Sequence, residues 1–213
     1  MIKEFLGGFC VGVSQVVVGH PLDTIKVLLQ NNKPALGHPI RNYYLGWKFP
    51  ALSSLFYNSI SFPVYEANKS QGPPLAGAIA GAAVTPLVYI FDVGKIKQQM
   101  KMPISIKTFL TVRGLPSTTL REVLATSSYF GAYEFSKERT NSPLLSGGIA
   151  GLANWTLTYP IDTIRTRQIA QNISPTVAFK QGALWKGYAP CAARAIIVNS
   201  ISFVIYDRFM TFF

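Results

Sequence analysis

The sequence predicts an all-α membrane protein: six transmembrane helices in three tandem repeats of about 70 residues, with pseudo-threefold symmetry around a central cavity. Three observations carry that expectation. Of 213 residues, 49% are apolar and only 14% charged, where a soluble domain carries about a quarter charged residues. The charges are missing from whole stretches of chain. Five landmarks, moreover, recur three times in the same order and register. So much apolar and aromatic material also excludes a disordered chain.

The charge-free stretches define the elements. Phe5 to Leu22, Phe49 to Tyr65, Ser70 to Phe91 and Thr140 to Ile161 contain no Lys, Arg, Asp or Glu. Two shorter ones, Val123 to Tyr133 and Ala195 to Tyr206, follow Arg121-Glu122 and Arg194. Twenty helical residues span about 30 Å, the thickness of the hydrocarbon core. Six segments of that order can be drawn, at 4–30, 47–69, 74–100, 115–138, 143–169 and 188–211. Backbone groups in lipid must bond within their own segment, which requires helices; the alternation of barrel strands is absent. The first apolar run leads into His20, Pro21 and Asp23 rather than a small-residue cleavage site, so no removable targeting segment is expected.

The formal charge of +11 is mostly flank charge. Thirteen Lys and Arg residues lie where an odd helix passes to the next even one, and five lie at the other side. An even number of spans puts both termini on that second side, and the positive-inside trend puts the thirteen on the other. No helix or loop concentrates basic and aromatic residues as a nucleic-acid face requires, so nucleic acid is not an expected partner. Two cysteines, Cys10 and Cys191, are too few for a disulfide framework or metal cluster. No metal-ligand spacing, phosphate loop or nucleophile–base pair occurs, so neither a metal, a cofactor nor an enzymatic activity is expected.

The repeat is the most informative feature. Gly8-x-x-x-Gly12, Gly77-x-x-x-Gly81 and Gly147-x-x-x-Gly151 open the odd helices. Eleven residues past each second glycine come Asp23, Asp92 and Asp162, and three further on Lys26, Lys95 and Arg165. Gly46, Gly114 and Gly187 each precede an acid by twenty residues: Glu66, Glu134 and Asp207, each with a tyrosine before it, Tyr65, Tyr133 and Tyr206. Three two-helix hairpins, at about 1–70, 71–141 and 142–213, then make one transmembrane domain of the whole chain. Parallel repeats of this kind place their symmetry axis along the membrane normal.

Pro21-Leu-Asp-Thr-Ile-Lys26 and Pro160-Ile-Asp-Thr-Ile-Arg165, with Tyr65-Glu-Ala-Asn-Lys69 and Tyr133-Glu-Phe-Ser-Lys137, closely resemble the mitochondrial carrier family. The resemblance extends over all three repeats. It implies six tilted helices around a cavity closed alternately at two salt-bridge gates, in the mitochondrial inner membrane. The bilayer, including anionic lipid such as cardiolipin, and a small-molecule substrate are the implied partners, and the chain is expected to act as a monomer.

Ionised groups at membrane depth face a wet cavity or a partner. Asp23, Lys26, Asp92, Lys95, Asp162 and Arg165 can pair within each helix at i,i+3. Alternatively, the acid of one repeat meets the base of another in a ring, with Pro21 and Pro160 swinging the helix ends towards the axis. The resemblance implies the ring, as the matrix gate, with Gln30 and Gln99 as bracing glutamines and Ile169 in the third brace position. It likewise implies a cytoplasmic gate of Glu66, Lys69, Glu134, Lys137 and Asp207, braced through the hydroxyls of Tyr65, Tyr133 and Tyr206. Three departures stand out. Ile90 replaces the motif proline of repeat 2, with Pro86 one turn earlier; Met210 replaces the third cytoplasmic base; and the connections after the odd helices are too short for the family's surface helix.

Seven residues after the even-helix glycines come Ser53, Arg121 and Arg194, with Glu122 beside Arg121. Each lies 13 residues, about 20 Å of helix, from its gate acid, hence near the midplane where transporter substrates bind. Arg121 can serve a purely structural pair with Glu122; Arg194 has no adjacent acid. An arginine fork suits a carboxylate or phosphate, and Glu122 suits a cation. Asn58, Asn154, Trp155 and Asn199 are further candidates for the cavity wall. An Arg-Glu pair on helix 4 resembles carriers of amino acids, carnitine and S-adenosylmethionine. Gly19-His-Pro-Leu-Asp-Thr-Ile-Lys26 and the stretch from Phe49 to Ser59 look most like the carnitine and basic-amino-acid branch. The expectation is a carrier exchanging a small amphoteric metabolite, a cationic amino acid or carnitine-like compound. The alternatives are a nucleotide or S-adenosylmethionine carrier, and a non-transporting carrier-fold protein serving membrane interaction or insertion.

Overall fold

A computed structural model of the chain describes residues 2–105, 108–109, 113–140 and 142–198; of residues 2–15, 55, 58, 143 and 144 it describes the backbone. Among the described residues all regular structure is helical. The elements are α1 (Ile2–Gln30), α2 (Ile40–Tyr43), α3 (Lys48–Asn68), a 3-10 turn (Lys69–Gln71), α4 (Pro73–Gln99), α5 (Leu115–Thr140), α6 (Pro143–Gln171) and α7 (Pro175–Lys180). The last described helix is α8 (Tyr188–Val198). Asn199, Tyr206, Asp207 and Met210 lie outside the described residues. By length and composition α4 is, among the described residues, the one helix long and apolar enough to cross a membrane. Two of the three connections after the odd helices carry short helices, contrary to expectation. They are cut to about one turn, α2 with four residues and α7 with six.

Local chemistry sets the ends. α6 starts at Ser142, whose hydroxyl accepts the Leu145 N–H, with Pro143 in the first turn, and α7 starts the same way at Ser174 and Pro175. These are the polar cap and the proline that lacks an N–H to satisfy. α1, α4 and α6 are each followed by a left-handed residue, Asn32, Lys101 and Asn172, at φ 55°, the conformation that terminates a helix.

Glycines fix how the helices meet. A Cβ at Gly77 would lie 2.6 Å from the Thr126 carbonyl oxygen, and one at Gly81 2.5 Å from that of Glu122. The second GxxxG is therefore where α4 lies backbone to backbone against α5. α5 is rich in hydroxyls, and Thr118, Thr119 and Thr126 return theirs to carbonyls four residues back, which satisfies them inside a packed helix. The even-helix glycines do something else. Gly46, Gly114 and Gly187 all have φ between 82° and 95°. Each presses on the odd helix of the next repeat: Gly46 on the Lys95 backbone, Gly114 on Ile169, and Gly187 on the Lys26 carbonyl. A side chain there would be strained and obstructed at once.

Two apolar clusters result. One joins Val27, Leu28, Tyr89, Val93, Ile96, Met100 and Ile169 near the C-terminal ends of α1, α4 and α6. The other joins Tyr65, Ala76, Ala80 and Phe130 at the opposite end. The charged residues of the odd helices lie beside the first.

Candidate functional site

Asp23, Asp92 and Asp162 sit near the C-terminal ends of α1, α4 and α6, and each meets a base from another repeat. Lys95 Nζ lies 2.8 Å from Asp23 Oδ2, Arg165 Nη1 lies 2.7 Å from Asp92 Oδ2, and Lys26 Nζ lies 2.6 Å from Asp162 Oδ2. The pairs close a cycle: repeat 1 to 2, 2 to 3, 3 to 1. One i,i+3 contact coexists with them, Arg165 Nη2 to Asp162 Oδ1 at 3.0 Å. The side chains are largely buried, with Asp162 only 1% exposed, so losing either partner would strand a desolvated charge.

The flanking glutamines differ in what they touch. Gln30 donates to Asp162 Oδ2 at 3.0 Å and to Thr163 Oγ1 at 3.2 Å. Gln99 donates to Thr24 Oγ1 at 3.0 Å rather than to an acid. Ile169, in the third place, belongs to the apolar cluster.

Sequence reasoning missed the residues that hold the ring to its own repeat. Three positions before each acid stand His20, Tyr89 and Tyr159. His20 Nε2 donates to the Leu45 carbonyl at 2.9 Å in its Nε2–H tautomer, Tyr89 to that of Arg113 at 3.1 Å, and Tyr159 to that of Lys186 at 3.3 Å. Each accepting carbonyl belongs to the residue just before an even-helix glycine. Thr24 and Thr163 add bonds of 2.7 Å to the carbonyls of Tyr43 and Leu184. The signal was present as a sixth landmark in the repeat, obscured because histidine replaces tyrosine in the first copy.

The ring floors a cavity of about 240 Å3. Ser53, Arg121, Glu122 and Arg194 line it, with Tyr57 and Trp155. Glu122 is fully buried and pairs with Arg121 through Oε1. Its Oε2 has no hydrogen-bond partner among the described residues. Arg165 Nη1 lies 3.8 Å from Glu122 Oε1, and Arg121 Nε 3.9 Å from Asp162 Oδ1. The Trp155 ring lies 4.5 Å from Lys26 Nζ and 5.3 Å from Arg121 Cζ, within reach of a cation–π contact. The Asn154 side chain instead meets its own helix, where Thr158 Oγ1 donates to Asn154 Oδ1 at 3.4 Å and to the Asn154 backbone carbonyl at 2.8 Å.

Arg194 departs from expectation. It has an acid partner, Asp23, with Nε 2.8 Å from Oδ1. The N–H is not aimed along that contact, which makes it an ion pair rather than a hydrogen bond. Gly19 allows it, since a Cβ there would stand 3.0 Å from Arg194 Nε. Asp23 is thereby shared between the ring and the cavity wall.

At the opposite end, Glu66 and Lys69 pair at 3.3 Å within one exposed turn. No ion pair between repeats occurs there among the described residues. Lys137 Nζ lies 5.7 Å from the Tyr133 ring. Tyr65 is not a hydroxyl brace as expected: its ring stacks on Phe130 at 3.7 Å, and its hydroxyl has no partner among the described residues. Burial of the ring outweighs the bond at that position.

Fold and site together define a class: a helical bundle of repeats, with a charged cavity closed at one end by ion pairs between the repeats. A family model described as mitochondrial carrier protein matches residues 138–213, the third repeat. The mitochondrial arginine transporter BAC2 of Arabidopsis thaliana is 28% identical over 265 residues, covering 96% of this chain and 89% of that protein. The mitochondrial basic amino acids transporter of Rattus norvegicus is 26% identical over 276 residues, covering 100% and 90%. Solute carrier family 25 member 45 of Homo sapiens is 24% identical over 279 residues, covering 97% of each chain. The chain is thus similar to mitochondrial carriers along nearly its whole length, and among them to proteins named as transporters of arginine and of basic amino acids. The aligned lengths exceed the 213 residues of the chain, so the relatives carry residues within the alignment for which this one has no counterpart.

Proposed function

We propose that the chain is a solute carrier of the mitochondrial inner membrane that exchanges a small amphoteric metabolite, a cationic amino acid or carnitine-like compound, by alternating access. Its spans would be α1, α3, α4, α5, α6 and the helix begun by α8, around the central cavity. The observation that carries this reading is the cycle of three ion pairs between repeats beneath a cavity lined by Arg121, Glu122 and Arg194. A bundle with no solute to pass has no physical need for a ring of buried charge at one end and none between the described repeats at the other.

The cavity charges suit a ligand of both signs. Five cations (Lys26, Lys95, Arg121, Arg165, Arg194) face four carboxylates (Asp23, Asp92, Glu122, Asp162). The surplus positive charge calls for a carboxylate, which Arg194 can bind as a fork. Glu122 Oε2 is the acceptor left for an ammonium or guanidinium. A carboxylate that recruits Arg194 takes a partner from Asp23. A cation on Glu122 draws that carboxylate from Arg121 and Arg165. Substrate binding thus rearranges the charges that flank the ring at Asp23 and Arg165, and the ring opens by as much as the substrate binds the open state better than the closed one. The names of the Arabidopsis and Rattus relatives favour arginine and other basic amino acids as the cargo.

Uptake into liposomes by purified protein tests the reading. Labelled arginine, lysine, ornithine, carnitine, S-adenosylmethionine and a nucleotide would each be offered against the same compound inside. Saturable uptake of a cationic zwitterion is expected. Uptake of the nucleotide alone would keep a carrier and discard the cargo; no uptake by folded protein would leave a membrane interaction module.

A further inference from the structure

The pseudo-threefold repeat supplies an internal comparison at the cavity wall. Arg121 and Arg194 occupy the same place in repeats 2 and 3, seven residues after the even-helix glycine. Each approaches the ring acid of the following repeat, Asp162 for Arg121 and Asp23 for Arg194, and the same two atoms define both approaches. Nε to Oδ1 is 3.9 Å in the first case and 2.8 Å in the second. One arginine is seated on its ring acid and the other is not.

Two differences accompany this. Arg121 has Glu122 beside it where Arg194 has Ala195, and the residue four places before the ring acid changes. That residue is Val88 before Asp92, Thr158 before Asp162 and Gly19 before Asp23. Val88 and Thr158 are buried side chains; at Gly19 there is none. A Cβ on Gly19 would stand 3.0 Å from Arg194 Nε, 3.5 Å from its Cζ and 3.0 Å from Val198 Cγ2. Two of these lie inside the optimal separation of non-bonded atoms, so a neighbour would have to give way. Val198 is buried, whereas the Arg194 side chain is 30% exposed and lines the cavity. The arginine is the neighbour with room to move. Asp23 would not be stranded, because Lys95 Nζ holds its other oxygen at 2.8 Å.

We propose that Gly19 is a positioning residue for substrate recognition: by lacking a side chain it seats Arg194 on Asp23, and so sets how tightly a substrate carboxylate is held. The inference rests on the cargo class proposed above, an amphoteric solute whose carboxylate recruits Arg194. That carboxylate competes with Asp23 Oδ1 for the guanidinium. The competition can be won, because the pair is partly exposed and its Nε–H is not aimed at the acid. Arg121 is not open to recruitment on the same terms, since its partner Glu122 is fully buried. Gly19 thus keeps the carboxylate end of the site moderate in affinity, as suits a solute that must also be released.

Arginine and agmatine, which is arginine without its carboxylate, separate the two ends of the ligand. Thermal unfolding of the full chain in detergent, titrated with each, gives their apparent Kd values; exchange in liposomes is measured on the same preparations. Gly19→Ala should tighten arginine binding about two- to fivefold, the worth of a partly exposed ion pair. Gly19→Thr, which copies repeat 3, should tighten it at least as much. Agmatine should bind wild type and both variants alike, whereas a purely structural role for Gly19 would shift the two ligands together. Val198→Ala combined with Gly19→Ala removes the second crowded contact. The gain for arginine should persist there, and this double variant gives the answer if Gly19→Ala folds poorly. Arginine binding that is unchanged or weaker in the variants, or agmatine tightening in step with arginine, would overturn the proposal; so would folded wild type that binds no arginine. The predicted pattern of binding without any exchange in liposomes would overturn the carrier reading and leave this one standing.

Discussion

Asp162 carries more than the other ring acids. It accepts Lys26, Arg165 and Gln30, with Arg121 at 3.9 Å, whereas Asp92 has Arg165 and is 23% exposed. Asp162→Asn should therefore destabilise the protein by about 3–5 kcal/mol, the cost of stranding a buried partner, and Asp92→Asn by clearly less. Thermal unfolding of the two variants side by side checks the order. Arg194→Ala is expected to abolish uptake while lowering stability by under about 1 kcal/mol, since that pair is partly solvated. The ring residues were legible because acid and base recur at fixed spacing in all three repeats. The Arg194–Asp23 contact was not, because it joins residues far apart in the chain and depends on the missing side chain of Gly19. Nor was Tyr65 packing face to face on Phe130, which no local pattern announces.

Helix positions were more legible than single contacts. Segments drawn at 47–69, 74–100, 115–138 and 143–169 run as Lys48–Asn68, Pro73–Gln99, Leu115–Thr140 and Pro143–Gln171. Charge-free length and helix-end residues specify such elements without tertiary information. The one-turn helices α2 and α7 escaped because four to six residues carry too little periodicity to register. The even-helix glycines were visible as spacing, but their φ near 90° and their pressure on the neighbouring repeat were not. Gly187→Ala should cost about 1–3 kcal/mol from backbone strain alone, and more where the new methyl meets the Tyr159 hydroxyl and the Lys26 carbonyl. Gly147→Ala, at a normal helical position, is the matched control in a melting experiment.

Across the whole molecule the three seams are unequal. Between repeats 3 and 1 the ion pair Lys26–Asp162 is reinforced by Gln30, by Arg167 on the Gln30 carbonyl, by Gln171 on Asn31 and by Lys186 on Asn32. Between repeats 1 and 2 the polar links among the described residues are Lys95–Asp23 and Gln99–Thr24, beside the Phe49 ring seated on Gly94. Arg167→Leu, which leaves buried carbonyls unpaired, should cost at least about 2 kcal/mol in thermal unfolding. A threefold sequence pattern suggests equal seams; the inequality arises where single positions break the pattern, Leu28 and Leu45 in repeat 1 standing where repeat 3 has Arg167 and Lys186. Exchange by alternating access requires the cavity above the ring to be a passage for an amphoteric solute. Arginine counter-exchange into liposomes, by wild type and Glu122→Gln in parallel, tests it most directly. Saturable exchange by wild type that collapses in the folded variant is the expected result, and exchange unchanged by Glu122→Gln, or none from folded wild type with any cationic zwitterion, would contradict it.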